Sequence, residues 1–463
     1  MKRRFPNGPT ISFTRAVIGQ IFPSKHPFDP LAFYIGTARE YGDIAYFRLG
    51  PLRIYLLNHP ELIRQVLVEQ APKFHKPSLV KRAARLSLGR GLLTSDGLLW
   101  KQQRKLIQPA FRHDRLAEAY GDVISEYAER MVSSFEDEEV RCIDDDMGKL
   151  TLAIVVKALF GEELSREADE IGELLLAVAD ASNERLNSPF GLLSWIPTRR
   201  NLRERRALAR FDEIIRVLIR TRRQSAGQRE ELLSALLSAV DADTGARMSD
   251  RQLRDEMMTL FLAGQDTTAH ALTWTWYLLA RHPDVEAKLL EEFRRALAGR
   301  APRATDLPNL PYTEMIVREA IRLFPPAPFF GRQPIEDVTV GGWEIPKGSL
   351  IVVSTYALHR DRRFFPEPEQ FNPDRFAPGW EERISRFAYL PFGGGPRVCI
   401  GNGFAMMEAR LVLATVAQRC KLLLEPNTEI APKQLVTLRP SHAVRMRVEK
   451  RAEVDLSHRA YNQ

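Results

Sequence analysis

Three glycines and a proline fall within ten residues, Phe392-Gly393-Gly394-Gly395-Pro396-Arg397-Val398-Cys399-Ile400-Gly401. Together they demand a tight, irregular backbone that ordinary residues cannot follow. The next stretch, from Asn402 through Leu411, has the character of a helix start. Cys399 is therefore presented at a helix N-terminus among free backbone N–H groups, a setting that favours thiolate over thiol. A thiolate is a soft ligand for iron, and glycine allows close approach of backbone or a flat ring. A lone cysteine is more often a small buried hydrophobe, so the weight of this reading rests on its neighbours.

The 463 residues are ample for a large core, and 44% hydrophobic with 27% charged is the balance of a soluble globular protein. Cys142, Cys399 and Cys420 are odd in number and far apart, which argues against a disulfide framework and for a reducing, cytoplasmic setting. After the basic start Met1-Lys2-Arg3-Arg4, the best apolar stretch, 16–22, is too short for a secretion signal or a membrane span. Net charge is +8 and the pI about 9.4. No nucleic-acid motif or aromatic stacking pattern accompanies that charge, and the Arg-rich stretch 199–206 reads as a solvated helix face.

Along the chain, 43–49 and 52–57 flank Gly50-Pro51 and predict a β-hairpin, with a helix from Pro60 to Glu69. Trp100 and Arg104 are four apart and share a helix face. Helical spacing recurs at 114–135, and further helices are expected at 150–160, 165–182, 202–224, 229–240 and 283–299. Residues 187–197 form an apolar, turn-rich loop. Residues 250–281 predict one helix roughly 48 Å long, at about 1.5 Å per residue. An acid and two hydroxyls, Asp266, Thr267 and Thr268, follow its apolar run and Gly264. An acid buried there is costly without partners, and hydroxyls that bond preceding carbonyls loosen a helix locally. Short strands are expected near 338–340, 349–354 and 435–448.

Phe392, Gly395, Arg397, Cys399 and Gly401 match at every defining position the haem-binding signature of the cytochrome P450 family, which this chain resembles. The pattern Ala263-Gly264-x-Asp266-Thr267-Thr268 is similar to the family's oxygen-side helix motif. Glu319-x-x-Arg322, followed by Pro325-Pro326 and later by Arg375, is similar to its Glu-x-x-Arg helix and partner arginine. These motifs run in family order from about 30 to 448, and the tail 450–463 is polar. The resemblance implies one mainly α-helical domain over 1–463 with small β-sheets at one side, overriding a length prior of two or three domains.

It further implies that Cys399 is the axial thiolate of haem b, which favours O–O cleavage. Trp100, Arg104, Arg332 and Arg397 would serve the haem propionates, since indole and guanidinium groups are donors suited to carboxylates. Asp266, Thr267 and Thr268 would feed protons to bound dioxygen. Glu319, Arg322 and Arg375 would form a buried ion cluster that fixes the cysteine loop. Phe190, Leu192, Leu193, Phe261, Leu262, Ala263, Ala327, Phe329, Phe330 and Leu438 would line an apolar pocket for a fatty acid, terpenoid or steroid. The implied reaction is hydroxylation or epoxidation by a monomer of the bacterial type. The chain contains no flavin or iron–sulfur module, so electrons would come from a separate ferredoxin or flavodoxin-type protein. Lys101, Lys105, Arg112, Arg410, Arg419 and Lys421 would offer that partner a basic patch. Two rival readings are a peroxide-using or isomerising haem-thiolate enzyme, whose relatives often lack the acid–threonine pair, and a haem-binding sensor, which needs no proton relay.

Overall fold

The structure, a computed structural model, describes residues 5–10, 29–161, 198–224, 231–426 and 428–451, with isolated residues between 170 and 181. The helix expected at 165–182 lies largely outside these residues, and the stretch 16–22 and the loop 187–197 lie outside them almost wholly or wholly, the latter with Phe190, Leu192 and Leu193.

Helix α1 (Pro30–Tyr41) leads into strands β1 (Ile44–Leu49) and β2 (Leu52–Leu57). Helix α2 (Pro60–Arg64) continues as a wider π turn, Gln65–Glu69, ahead of β3 (Phe74–His75). Next come α3 (Ser78–Leu88), α4 (Gly97–Ile107), α5 (His113–Ser133), β4 (Val140–Cys142) and α6 (Ile143–Phe160). Helices α7 (Arg199–Gln224), α8 (Leu232–Ser238), α9 (Asp250–Arg281), α10 (Pro283–Ala296) and α11 (Pro311–Leu323) follow. The last third begins with β5 (Phe330–Pro334), β6 (Val338–Val340), β7 (Trp343–Ile345), β8 (Leu350–Val353), α12 (Thr355–Leu358) and α13 (Trp380–Arg383). It ends with α14 (Asn402–Arg419), β9 (Cys420–Leu424), β10 (Pro432–Gln434), β11 (Leu438–Pro440) and β12 (Arg445–Lys450).

The hairpin and the helix from Pro60 lie where the pattern placed them. Helix α6 begins at Ile143 rather than 150, because Asp144, Asp145 and Asp146 fill its first turn, where acidic side chains meet the positive end of the helix dipole. The strands form four sheets, the largest in the order β1-β2-β8-β5-β3, the others β4-β12-β9, β6-β7 and β10-β11. In the large sheet β2 pairs with β8 in parallel, so the chain carries residues near 350 back beside residues near 55.

Helix α9 is the axis of the helical core and packs against α6, α11 and α14. Ser249 starts it with a reciprocal cap: its Oγ accepts the Gln252 N–H at 3.3 Å, and the Gln252 side chain accepts the Ser249 N–H at 2.9 Å. Met257, Met258, Phe261, Leu272 and Trp274 are wholly buried, so tertiary packing sustains a helix far longer than propensity alone would. Its hydroxyls do bond back to carbonyls four residues earlier, Thr267 to Ala263 at 2.7 Å and Thr268 to Gly264 at 3.0 Å. The helix nevertheless stays α-helical throughout, and the local loosening expected there is not seen.

Candidate active site

The cysteine loop is held by its own backbone. The Cys399 N–H donates to Phe392 O at 3.0 Å and the Val398 N–H to Gly395 O at 3.1 Å. Gly395 has φ +68°, and a Cβ there would stand 2.0 Å from the Leu67 carbonyl oxygen of the π turn. Left-handed backbone and contact with main chain both exclude a side chain. We expect Gly395→Ala to destabilise the fold by about 2–4 kcal/mol, read as a lower midpoint in chemical denaturation, and an unchanged midpoint would place the loop elsewhere. Phe392 and Met406 of α14 pack against the same buried cluster, which includes Ala271, Phe365 and Tyr389. At Gly401, which caps α14, a Cβ would meet only Phe111 at 3.9 Å, so protein contacts do not demand that glycine.

Cys399 lies deep in the protein yet keeps accessible surface, as a thiol does when it opens on an internal cavity. Here the expectation of a ready thiolate is corrected. Burial pushes the thiol up, and the Gly401 N–H, Arg104 and Lys76 only partly pull it back. Desolvation of a charge outweighs the helix end, so the thiolate awaits a cation.

Around the loop stands a surplus of positive charge. Arg104 donates from Nη1 to Val398 O at 2.9 Å. Arg397 pairs with Asp96 at 2.6 Å, donates to Ser95 O at 3.1 Å and lies 4.3 Å over the Trp100 ring. Among the described residues the Arg332 side chain donates only to Gly331 O, at 2.9 Å, and the Lys76 side chain only to Leu93 O, at 2.7 Å. Asp96 is already shared with Lys81 at 2.5 Å. Burial together with Arg397 and Arg332 pushes Lys76 down to about 7, against the pull of Asp96 and Cys399. Burial and Arg397 push Arg332 down to about 10. Buried cations crowded in this way are a site built for anionic oxygens.

Above the middle of α9, residues 262–267 carry accessible surface, with Ala263 in relative terms the most exposed, between wholly buried Phe261 and 3% exposed Thr268. Asp266 accepts from Thr437 Oγ1 at 2.6 Å and from Arg439 Nη2 at 2.9 Å, and His270 Nε2 is 3.6 Å from its Oδ1. Burial alone would raise the Asp266 carboxyl; the charges of His270 and Arg439 and the two hydrogen bonds overcome it and hold the carboxyl low.

Residues 11–445 match the sequence profile of the cytochrome P450 family. The chain belongs to the cytochrome P450 family. It is 41% identical over 411 residues to cyclooctatin synthase of Streptomyces melanosporofaciens, covering 88% of this chain and 89% of the relative. Pentalenene oxygenase of Streptomyces avermitilis is 34% identical over 423 residues, 91% and 93% of the two chains. The heme domain of cytochrome P450DA superposes with a TM-score of 0.85 at 26% identity, covering 97% of this chain and 99% of that one. This P450 is a monooxygenase with a haem-thiolate prosthetic group, and its mainly helical fold with small sheets is that of the P450 heme domain. No helix among the described residues is long and apolar enough to cross a membrane.

The donor set of the P450 fits that group. Two propionates would answer the uncompensated charge of Lys76, Arg332 and Arg104, and the Trp100 indole N–H meets no protein acceptor among the described residues. Behind the loop, Glu319 and Arg322 are wholly buried and joined at 2.6 Å, with Arg375 at 3.2 Å from the same carboxylate. Arg322 also donates to the carbonyls of His359, Pro368 and Gln370. His359 carries the cluster to the cysteine segment: its Nδ1 faces Arg322 O at 3.2 Å and its Nε2 accepts the Leu390 N–H at 2.9 Å. Burial pushes His359 down to about 3, so it stays neutral and keeps one donor and one acceptor.

Several expectations are corrected. Thr268 is buried with its hydroxyl on Gly264 O, so it faces protein rather than the open side of α9. Phe261 is wholly buried in the helical core, and Leu438 is wholly buried beside Leu31 and Tyr356; neither lines open space. Leu262, Ala263, Ala327, Phe329 and Phe330 keep accessible surface, with Phe329 against Tyr34 and Phe330 beneath Arg332. Four members of the basic patch carry acidic partners within the chain. Lys105 pairs with Asp241 and Asp243, Arg112 with Asp114, Arg410 with Glu314 and Arg419 with Glu129. A groove of about 500 Å³ does border the loop, lined by Trp100, Lys101, Arg104, Lys105, Gln108, Gly395, Pro396 and Val398.

Sequence reasoning missed Lys76, His359, His270 and the role of Arg439. Lys76 and Arg439 each stand immediately before a proline with no periodic pattern to single them out. His359-Arg360-Asp361, three polar residues directly after an apolar strand and helix turn, was the one available signal.

Proposed function

We propose that this P450 is a single catalytic domain that uses haem b, dioxygen and electrons from a separate ferredoxin or flavodoxin-type protein to hydroxylate a cyclic terpenoid. The accessible apolar side chains Leu262 and Ala263, one turn before the acid–threonine pair on α9, together with accessible Ala327, Phe329 and Phe330, carry the reading. The likeness to cyclooctatin synthase, cyclooctat-9-en-7-ol 5-monooxygenase and pentalenene oxygenase favours terpenoids over fatty acids and steroids. Haem b, when bound through Cys399, supplies reduction of dioxygen and insertion of one oxygen atom into a C–H bond.

The chain's own residues do the rest. Lys76, Trp100, Arg104, Arg332 and Arg397 anchor the propionates. Leu262 and Ala263 exclude water and place the apolar substrate. Asp266, held by Arg439 and Thr437, keeps a negative charge beside the open stretch of α9. Thr267, with accessible surface and its hydroxyl hydrogen on Ala263 O, presents lone pairs that accept and orient a water proton. Retention of this pair favours the oxygenase over a peroxide-using relative. The partner is met at the groove bordering the loop, where Lys101 is exposed, in a reducing cytoplasmic setting and by a monomer.

Titration of the ferric protein with cyclic diterpenoids, sesquiterpenoids, fatty acids and steroids tests the substrate class: cyclic terpenoids will shift the haem towards high spin at the lowest concentrations. A preference for fatty acids would overturn it. Thr267→Ala will still bind haem and substrate but will divert electrons into hydrogen peroxide. Product per reduced nicotinamide should fall by about tenfold, less than the roughly 100–10,000-fold of a general acid lost outright, because Thr267 orients a water rather than giving the proton itself; an unchanged ratio would remove Thr267 from proton delivery.

A further inference from the structure

His270 lies on α9 one turn beyond Asp266 and has no part in the anchoring described above. It is largely enclosed, and neither ring nitrogen has a hydrogen-bond partner among the described residues. Unpartnered buried imidazole nitrogens are costly and call for a reason. Charged groups act on the ring from three elements: Asp266 on its own helix at 3.6 Å, Arg439 from β11, which holds the same carboxylate, and Asp144 from the first turn of α6. Asp144 is half-buried and accepts the Val444 N–H at 2.8 Å and the Cys142 thiol at 3.1 Å; exposed Asp145 follows it. The imidazole therefore adjoins the acid beside the open stretch of α9 and feels the charge of a second acid that reaches the surface, on the helix α6 that packs along α9 with Thr151 Oγ1 donating to Gln265 O at 3.2 Å.

Asp266 is a poor place to keep a proton. An arginine and a hydroxyl hold both of its oxygens, and the carboxyl is held low. Imidazole, with two nitrogens that can exchange protons on opposite edges, suits the task better. We propose that His270 supplies protons to the oxygenase reaction through Asp266, refilled from the Asp144 side. This rests on the monooxygenase reading, whose balance RH + O2 + 2 e⁻ + 2 H⁺ → ROH + H2O draws two protons into a closed site. In each transfer the Nε2–H bond of the imidazolium breaks and an O–H bond forms at Asp266 Oδ1. Neutral imidazole then regains a proton from hydronium in bulk solvent on the Asp144 side, which supplies the H⁺ of the balance. The 3.6 Å between Nε2 and Oδ1 closes to hydrogen-bond length with a small side-chain movement. Burial and Arg439 disfavour the imidazolium and outweigh the pull of the two aspartates, so the ring gives up its proton readily. His270 touches neither substrate nor the reacting oxygen, so it is a positioning residue.

The test uses the haem-loaded protein, a plant-type ferredoxin with its reductase, and the terpenoid giving the largest spin-state shift. In His270→Asn, reductant-driven product formation should fall by about tenfold, while hydrogen-peroxide-driven product formation, which brings its own protons, should stay within about twofold of wild type. The solvent deuterium isotope effect on the reductant-driven rate should grow. His270→Gln should behave in the same way. In the diamagnetic ferrous carbon-monoxide form, the His270 ring followed by nuclear magnetic resonance should titrate at lower pH in Asp266→Asn, because an anion favouring the imidazolium has gone. Equal losses in the reductant and peroxide arms would make His270 merely structural and overturn the proposal. So would an unmoved His270 titration, or reductant-driven rates and isotope effects equal to wild type. A wild type that is peroxide-active but makes no product with reductant would overturn the oxygenase reading and this proposal with it.

Discussion

Cys399→His will retain some haem and lose the red-shifted Soret band that a thiolate ligand gives the ferrous carbon-monoxide complex. Imidazole is a competent iron ligand, and Lys76, Arg104, Arg332 and Arg397 would still hold the propionates. Electron donation from sulfur, which favours O–O cleavage, would be gone. Product formation should therefore fall by more than the roughly 10–100-fold that altering a metal's outer partners costs. The wild-type thiol is not ionised by its surroundings, since burial pushes it up. Iron binding must displace its proton, so haem uptake by the apoprotein should release acid, and less should be released in Cys399→His. A wild-type spectrum typical of histidine ligation would refute the assignment of Cys399.

Glu319→Ala will yield little folded holoprotein. One carboxylate receives Arg322 at 2.6 Å, Arg375 at 3.2 Å and the Asn372 N–H at 2.9 Å, all around a wholly buried site. Its removal leaves a buried guanidinium with no counter-charge, typically a loss of about 3–5 kcal/mol from a total on the order of 5–15 kcal/mol. The damage should reach the haem through His359, whose Nε2 holds the Leu390 N–H at the entry to the cysteine segment. Glu319→Gln, which keeps the shape but not the charge, should be intermediate. Normal haem content and melting in Glu319→Ala would mean that the cluster does not support the loop.

Cys399 with its glycines, and Glu319 with Arg322, are legible in the amino-acid sequence for one shared reason: both are short-range patterns. A glycine three residues before a proline-arginine turn, or an acid one helical turn before a base, constrains local geometry whatever the rest of the chain does. The hairpin at 44–57 and the long helix α9 are readable on the same terms, from turn residues and apolar spacing. Where local and global forces compete, the reading fails. The N-terminal position of Cys399 on α14 promises a thiolate, yet desolvation by the surrounding core outweighs a helix end. Thr267 and Thr268 are adjacent and chemically alike, but the turn of about 100° between neighbours on a helix sends one towards open space and buries the other. Phe261 and Leu438 look like pocket residues because they are apolar, and apolar side chains serve a core as readily as a cavity.

Residue type and short spacing pointed to the cysteine loop, the acid–threonine pair and the Glu319–Arg322 pair, since each is a matter of a few consecutive dihedrals. Only the tertiary structure could decide which charges keep company. Lys76 meets Arg397 across more than three hundred positions, Asp266 meets Arg439 and Thr437 from the C-terminal hairpin, and Lys105 is drawn away to Asp241 and Asp243. Charge interactions act through space and depend on burial as much as on separation, and neither quantity exists until the distant segments have packed.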